Sequence, residues 1–174
     1  TAGESFRAFL EGRLPQLPGQ KPVMKDWADH LTTIFPEVRL KKYLEMRGAD
    51  SGLAPKLCAL PAFWVGLLYD QAALDAAWDL VRDWTAEERQ QLREDVPRLA
   101  MTAKLRGRTV QEISRDVLKI ARAGLESRRL NEAAFLDPLD EIAVSGKTTA
   151  DRLLALYHGG WQGDVKKAFR DCAY

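Results

Sequence analysis

The chain has 174 residues, with 26 Lys and Arg against 25 Asp and Glu, and a formal net charge of +1. It is 46% hydrophobic and 29% charged, which excludes an intrinsically disordered chain and disfavours a general nucleic-acid binder, because a basic excess drives such binding. Two cysteines are too few for a disulfide framework, and the longest apolar run, Leu57–Tyr69, is too short to span a membrane. We expect a cytoplasmic globular protein with one sizeable core and neither nucleic acid nor a membrane as partner.

The first part of the chain predicts two short helices and one strand. Ser5–Leu14 and Lys25–Phe35 carry apolar residues at helical spacing, and Pro36 ends the second helix. Glu37–Arg47 alternates with a period of two, which is typical of a strand. One face of this strand carries Leu40, Leu44 and Met46, and the other carries Arg39, Lys41, Tyr43, Glu45 and Arg47.

Everything after Ala54 is predicted to be helical. Capping-box spacing at Thr85 with Glu88, and at Thr109 with Glu112, marks two helix starts. The remaining predicted helices are Gln71–Trp84, Leu136–Val144, Thr149–Tyr157 and Val165–Cys172. Predicted buried faces are Leu74, Trp78 and Val81 in one helix, and Val110, Ile113, Val117, Ile120 and Ala121 in another.

A single strand cannot satisfy its own backbone hydrogen-bonding groups. Either loop residues pair with it, or its partners lie outside these 174 residues, and we favour the second explanation. The chain also starts at Thr1 without a methionine, which is consistent with a piece of a longer polypeptide.

Gly146-Lys147-Thr148 resembles the end of a phosphate-binding P-loop, but that motif needs a glycine five residues earlier, where Glu141 stands. A helix N-cap at Thr148, with Asp151 three residues on, is the better interpretation. Core packing is predicted for Phe63, Trp64 and Tyr69, and Cys58 is predicted to be a buried, inert thiol. His30 is interpreted as a hydrogen-bonded structural residue, and Trp161, in a glycine-rich loop, as a cap over either a core or a pocket.

The charged face of the predicted strand has two interpretations. It can be solvated, as one side of an antiparallel sheet often is. Alternatively, one carboxylate among several cations suits an anionic ligand held with a metal ion, since Mg²⁺ binds few protein carboxylates plus phosphate oxygens and arginine matches phosphate. In that interpretation Glu45 and Arg47, two residues apart, project into the same pocket.

Several long segments carry a family resemblance. They are His30–Lys41, Tyr43–Asp50, Leu57–Asp70, Asp83-Trp84-Thr85 with Glu88-Arg89, and the terminal Tyr157, Gly159, Trp161 and Tyr174. Together they closely resemble glutamate–cysteine ligases of the plant and proteobacterial type.

The resemblance implies an ATP- and magnesium-dependent ligase that joins the γ-carboxylate of glutamate to the amine of cysteine, the first step of glutathione synthesis. Its fold class would be α+β, the mostly helical C-terminal part of a glutamine-synthetase-like catalytic fold, giving about one strand to an antiparallel sheet. Residues 1–174 would be the C-terminal portion of a single catalytic domain, and the N-terminal portion would supply the nucleotide contacts.

By the same resemblance, Glu45 would bind Mg²⁺ and Arg47 would be the catalytic residue that contacts phosphate or a substrate carboxylate. Arg39, Lys41 and Tyr43 would bind substrate, with Asp50 a weaker candidate. The segment Ser51–Lys56 replaces one that carries a tryptophan in plant relatives, so no role of that tryptophan is carried over. In plant relatives the cysteine matching Cys58 can join a disulfide whose partner would lie upstream, so we expect a free thiol.

Two alternatives stay open. One is a related γ-glutamyl ligase that uses another amine, and the other is a helical interaction module without catalysis. For the ligase we expect glutamate, cysteine and ATP as ligands, the N-terminal remainder of the polypeptide as partner, and pairing with a second copy through the exposed sheet edge. The isolated 174 residues are expected to be inactive.

Overall fold

The computed structural model describes residues 3–33, 35–49, 52 and 54–172. The protein is α+β and mostly helical, with short antiparallel strands. It divides into two compact units, Thr1–Ala49 and Asp50–Tyr174.

The first unit contains two short helices and a β-hairpin. The elements are α1 (Phe6–Leu10), α2 (Met24–Thr32), β1 (Val38–Leu40) and β2 (Leu44–Met46). The ring of His30 stacks on Phe6 with centroids 4.4 Å apart, and Trp27 lies 5.3 Å from the same phenyl ring. This aromatic cluster gives His30 a structural role, as predicted, but through ring packing, because its side chain makes no hydrogen bond among the described residues.

The prediction of one continuous strand over Glu37–Arg47 is wrong, because its two halves fold back and pair with each other. The register places Val38 opposite Met46 and Leu40 opposite Leu44, with residues 41–43 as the turn. The preferred explanation, that the strand's partners lie outside the chain, is therefore wrong for this pairing. The segment gives two short strands rather than one.

The second unit is built from seven α-helices and a further hairpin within the described residues. Its helices are α3 (Ala54–Leu68), α4 (Gln71–Val81), α5 (Ala86–Leu99), α6 (Val110–Ser127), α7 (Asp137–Ser145), α8 (Thr149–His158) and α9 (Ala168–Asp171). Short 3₁₀ turns cover Ala100–Thr102, Ala133–Leu136 and Val165–Lys167, and the strands are β3 (Lys104–Leu105) and β4 (Arg108–Thr109).

The core of this unit forms where α3 crosses α6 through small residues. A methyl group added at Gly124 would lie 1.9 Å from the carbonyl oxygen of Gly66, and one added at Gly66 would lie 2.2 Å from that of Ala121. The two backbones therefore touch, and larger side chains pack on either side of the crossing. These are Leu67, Leu118, Leu125 and Leu136.

The close packing of small residues explains why the packing face predicted for α4 is wrong. In α4 the buried residue is Ala73, which lies beside Gly124, whereas Leu74 and Trp78 are exposed. Tyr69 is also exposed, with its ring 5.8 Å from the Arg128 guanidinium carbon. Phe63 and Trp64 do pack against the core, as predicted, and so do the α6 residues Val117, Ile120 and Ala121.

The hairpin of β3 and β4 is absent from the sequence-based prediction, which made this region helical. Arg106 and Gly107 form its two-residue turn, both with positive φ (49° and 79°). Glycine adopts this backbone conformation readily, so the Arg-Gly pair was the available signal. Arg106 then donates two hydrogen bonds of 2.7 Å to Glu88 at the start of α5.

Side chains satisfy backbone groups at several helix ends of the second unit. The predicted capping boxes form at Thr85 with Glu88 and at Thr109 with Glu112. Asp70 caps α4 and accepts a second hydrogen bond, of 2.8 Å, from Ser127. Gln111 and Arg115 of α6 donate to the carbonyl oxygens of Ala143 and Val144, which end α7.

Within the described residues, no single helix is long and apolar enough to cross a membrane, and only α3 and α4 taken together reach that length and composition, bent by 92°.

Candidate functional site

The hairpin of the first unit brings the predicted charged residues together. Arg39 in β1 lies directly opposite Glu45 in β2, and both side chains stand on the same side of the hairpin. Lys41 follows β1 and Arg47 follows β2. We call these four residues, Arg39, Lys41, Glu45 and Arg47, the charged face.

Glu45 is the centre of the charged face. Its Oε2 accepts a hydrogen bond of 2.7 Å from Arg39 Nε, and Arg39 Nη2 lies 2.7 Å from the same oxygen. Arg47 Nε is 3.9 Å from Oε2, and Lys41 Nζ is 4.0 Å from Oε1. One carboxylate therefore has three cations around it, but only Arg39 is within hydrogen-bonding distance.

Two aromatic residues flank the charged face. The Arg47 guanidinium lies over the ring of Phe35, 5.6 Å from its centroid, which is within the range of a cation–π contact. Phe35 is thus a site residue that the sequence analysis missed. Tyr43 lies in the turn and is 60% exposed, and its hydroxyl makes no hydrogen bond to the charged face among the described residues. Asp50, the weakest candidate, lies outside the described residues.

The opposite side of the hairpin is apolar. It carries the cross-strand pairs Val38 with Met46 and Leu40 with Leu44. Lys42 was the signal that the strand is not continuous. In an unbroken strand it would stand between Leu40 and Leu44 on the apolar face, whereas the turn removes it from that face.

The charge of this face suits an anionic ligand. Three cations and one carboxylate leave a formal surplus of two positive charges. Arginine and lysine donors match phosphate and carboxylate oxygens, and a phosphate brought here would offset the surplus.

A magnesium ion fits this face only together with such an anion. Glu45 offers one carboxylate, and the described residues contain no group of three His, Cys, Asp or Glu side chains that could hold a metal. Mg²⁺ often takes only one or two protein carboxylates and completes its shell with phosphate oxygens and water. Glu45 is therefore a suitable single ligand for a magnesium–phosphate complex.

The second unit contains a cleft of about 1020 Å³ beside the N-terminus of α8. Gly146 ends α7 in the left-handed conformation, and Thr148 accepts a hydrogen bond from the Asp151 backbone N–H. The N-cap interpretation of Thr148 is confirmed. Hydrogen bonds from the backbone N–H and side chain of Thr148 hold the pKa of Asp151 below its ordinary value.

The two cysteines do not form a disulfide in this structure. Cys58 is exposed on α3, so the expectation of a buried thiol is wrong. The reason is that α3 turns Ala59 and Ala62 toward the core and leaves Cys58 on its outer side. Trp161 is buried, and its indole N–H donates to Asp171 across 2.7 Å.

Comparison with known proteins identifies the family. The model of glutamate-cysteine ligase family 2 matches residues 7–171, which is nearly the whole chain. The chain belongs to this family.

Individual relatives agree with this assignment. The chain is 50% identical over 172 residues to a chloroplastic glutamate–cysteine ligase of Solanum lycopersicum, 50% over 173 residues to one of Nicotiana tabacum, and 52% over 172 residues to one of Arabidopsis thaliana. Each comparison covers 99% of this chain and 33% of the relative. The chain therefore spans about a third of the length of the curated relatives it matches. Their names place those proteins in the chloroplast, which differs from the cytoplasmic location predicted for this chain.

Proposed function

We propose that this chain is part of an ATP-dependent glutamate–cysteine ligase, which makes γ-glutamylcysteine for glutathione synthesis. The observation that carries the proposal is the charged face, where one carboxylate stands among three cations in a chain of this family. That arrangement suits a reaction in which phosphate and carboxylate groups must be held close together despite their mutual repulsion.

The reaction proceeds in two steps. A γ-carboxylate oxygen of glutamate attacks the γ-phosphorus of ATP, the bond to the bridging oxygen breaks, and ADP leaves. The neutral amine of cysteine then attacks the carbonyl carbon of the γ-glutamyl phosphate, and the C–O bond to phosphate breaks. The amine loses a proton to solvent, and the products are the amide, phosphate and ADP. Positioning and charge neutralisation are the main tasks of the protein in such a transfer.

Each residue of the charged face has a role in this proposal. Glu45 binds Mg²⁺, which neutralises phosphate charge when it is bound. Arg47, steadied by Phe35, donates to the transferring phosphate or to a substrate carboxylate and stabilises the negative charge that develops there. Lys41 and Tyr43 bind substrate at the turn. Arg39 also belongs to the substrate-binding set proposed from the sequence.

The proposal extends to the whole polypeptide. The 174 residues form the C-terminal portion of a single catalytic domain with a glutamine-synthetase-like fold, and the N-terminal portion supplies nucleotide contacts. The isolated 174 residues are then inactive. The cytoplasmic location and the pairing with a second copy stay predictions.

The test is ADP release by the complete polypeptide, measured with and without glutamate and cysteine. We expect release that requires glutamate and rises with cysteine. Glu45→Gln and Arg47→Ala should each lower turnover at least about 100-fold, the size of loss typical when a group that stabilises transition-state charge is removed. Lys42→Ala is the matched control, because Lys42 lies in the same turn and makes no ion pair among the described residues.

Other outcomes distinguish the alternatives. Glutamate dependence with a different preferred amine would keep the mechanism and change the product. ADP release that ignores both amino acids, from folded protein, would leave a non-catalytic helical module as the better interpretation. Peptide synthesis by the isolated 174 residues would contradict the proposal that the N-terminal portion supplies part of the active site.

A further inference from the structure

The two carboxylate oxygens of Glu45 have different surroundings. Oε2 receives both Arg39 contacts at 2.7 Å and has Arg47 Nε at 3.9 Å. Among the described residues, the cation nearest Oε1 is the Lys41 ammonium, at 4.0 Å, which is too far for a hydrogen bond. The carboxylate is thus held through one oxygen and open at the other.

Arg39 is placed to hold this orientation. It lies directly across the hairpin from Glu45, where antiparallel pairing brings the two side chains closest. Arg39 Nε donates to Oε2 and Nη2 lies 2.7 Å from the same oxygen, so a rigid planar guanidinium is fixed against one side of the carboxylate. Because its Nε–H is already bonded to Glu45 and its charge is paired there, Arg39 is less available to a substrate than Lys41 or Arg47.

We infer that Arg39 is a positioning residue, which binds Oε2 of Glu45 and thereby presents Oε1 as the single atom that binds the metal ion. This inference rests on the proposed function, and it changes the role of Arg39 from substrate binding to orientation of a ligand. Hydrogen bonds of this kind behind a metal ligand commonly contribute a factor of 10 to 100 in metal affinity.

A plain surface ion pair is the alternative. The Arg39 side chain is 41% exposed, and exposed pairs contribute little to stability. The two interpretations predict opposite changes in metal affinity when Arg39 is replaced by an uncharged residue. Removing a nearby cation without any positioning role lowers electrostatic repulsion, so the metal should bind equally well or more tightly. Removing a positioning residue should weaken binding despite the lower repulsion.

The experiment measures Mn²⁺ binding to the complete polypeptide by electron paramagnetic resonance, with a non-hydrolysable ATP analogue at saturation for each variant. We expect Arg39→Met to raise the Kd for Mn²⁺ about 10-fold or more. Lys42→Met, the matched removal of one cation from the same hairpin at a residue outside the charged face, should leave the Kd unchanged or lower it. In Arg39→Met/Glu45→Gln, binding should equal that of Glu45→Gln alone, because Arg39 acts only through Glu45.

Circular dichroism checks that each variant is folded. If Arg39→Met is not, Arg39→Lys takes its place. Lysine keeps the charge but lacks the planar fork, so the Kd for Mn²⁺ should still rise.

Two results would overturn the inference, and they have different consequences for the proposed function. If Glu45→Gln weakens Mn²⁺ binding but Arg39→Met binds Mn²⁺ as tightly as Lys42→Met, Arg39 has no positioning role and the proposed function stands. If Glu45→Gln leaves both Mn²⁺ affinity and turnover unchanged, the metal site is elsewhere and the role proposed for Glu45 fails as well.

Discussion

Thr148 belongs to a segment that resembles a phosphate-binding loop, but its role in the structure is to cap a helix. Its backbone N–H donates to the Asp151 carboxylate across 2.7 Å, and its hydroxyl accepts from the Asp151 N–H across 3.3 Å. These reciprocal bonds satisfy donors that the first turn of α8 leaves without an intrahelical partner. The motif that resembles a phosphate-binding loop is therefore a helix start.

Replacing Thr148 should accordingly affect stability and not catalysis. Thr148→Ala should lower the free energy of unfolding by about 1 kcal/mol, since the cap bond is lost, whereas Thr148→Ser should stay close to the natural protein. Urea denaturation followed by circular dichroism measures this. Lys147→Ala should leave ligase turnover unchanged, and a large loss of nucleotide affinity in that variant would contradict the cap interpretation.

At the scale of the elements, the crossing of α3 and α6 depends on two glycines. Gly66 and Gly124 let the backbones touch, and the core leucines are arranged around this contact. The distance between the core helices of this unit is thus set by glycines. Glycines do not contribute to the hydrophobic pattern from which buried helix faces are predicted.

Gly124→Ala should destabilise the protein by about 3 kcal/mol or more, because the added methyl group meets the backbone oxygen of Gly66, which cannot rotate away. Thermal unfolding is the measurement. Gly160→Ala is the control, since no heavy atom lies within 4 Å of a methyl group added there. Equal melting temperatures for the two variants would show that the helices can separate at little cost.

Signals between residues close in the sequence predicted the helices well. Contacts between residues distant in the sequence were harder to predict. Capping at Thr85, Thr109 and Thr148 depends on residues three positions apart, so the sequence displays it directly. The exposed Trp78 was misplaced because helical spacing identifies an apolar face but not the closeness of a neighbouring backbone. The first hairpin was missed because its turn, Lys41–Tyr43, contains none of the usual turn residues.

The charged residues of the site were predictable from the sequence, but their geometry was not. Alternation along Glu37–Arg47 placed Arg39, Glu45 and Arg47 on one face, and the hairpin retains that grouping. The pairing of Arg39 with Glu45 could not be derived, because it depends on a register that only the turn defines. Phe35 was missed for the same reason, since its contact with Arg47 is made between segments.

For the whole molecule, ionised carboxylates at helix starts set the response to acid. Hydrogen bonds from the Arg106 side chain and the Thr85 backbone lower the pKa of Glu88, and bonds from the backbone N–H and side chain of Thr109 lower the pKa of Glu112. A lowered pKa in the folded state means that the unfolded chain takes up protons first as the pH falls. These groups thus stabilise the fold fully above the ordinary glutamate pKa of 4.5, and the contribution is lost as the pH drops through their lowered values.

These groups should therefore make stability decline as the pH falls below about 4.5. Glu88→Gln/Glu112→Gln should make the decline shallower, because glutamine can still cap the helix but does not titrate. The measurement is the free energy of unfolding from urea titrations at a series of pH values. Glu126→Gln, whose side chain makes no hydrogen bond in the described part of the chain, is the control, and an equal slope in all three proteins would contradict this account.

The long separation of the core helices along the chain has a consequence for synthesis in the cell. Asp70, next to α3, meets its partner Ser127 at the end of α6, 57 positions later. At about 5 to 20 residues per second, a ribosome needs roughly 3 to 11 s to make the intervening chain. During that time the apolar helix α3 has already been synthesised, but α6, against which it packs, is not yet complete. The nascent protein is thus expected to present this helix to chaperones before the core can close.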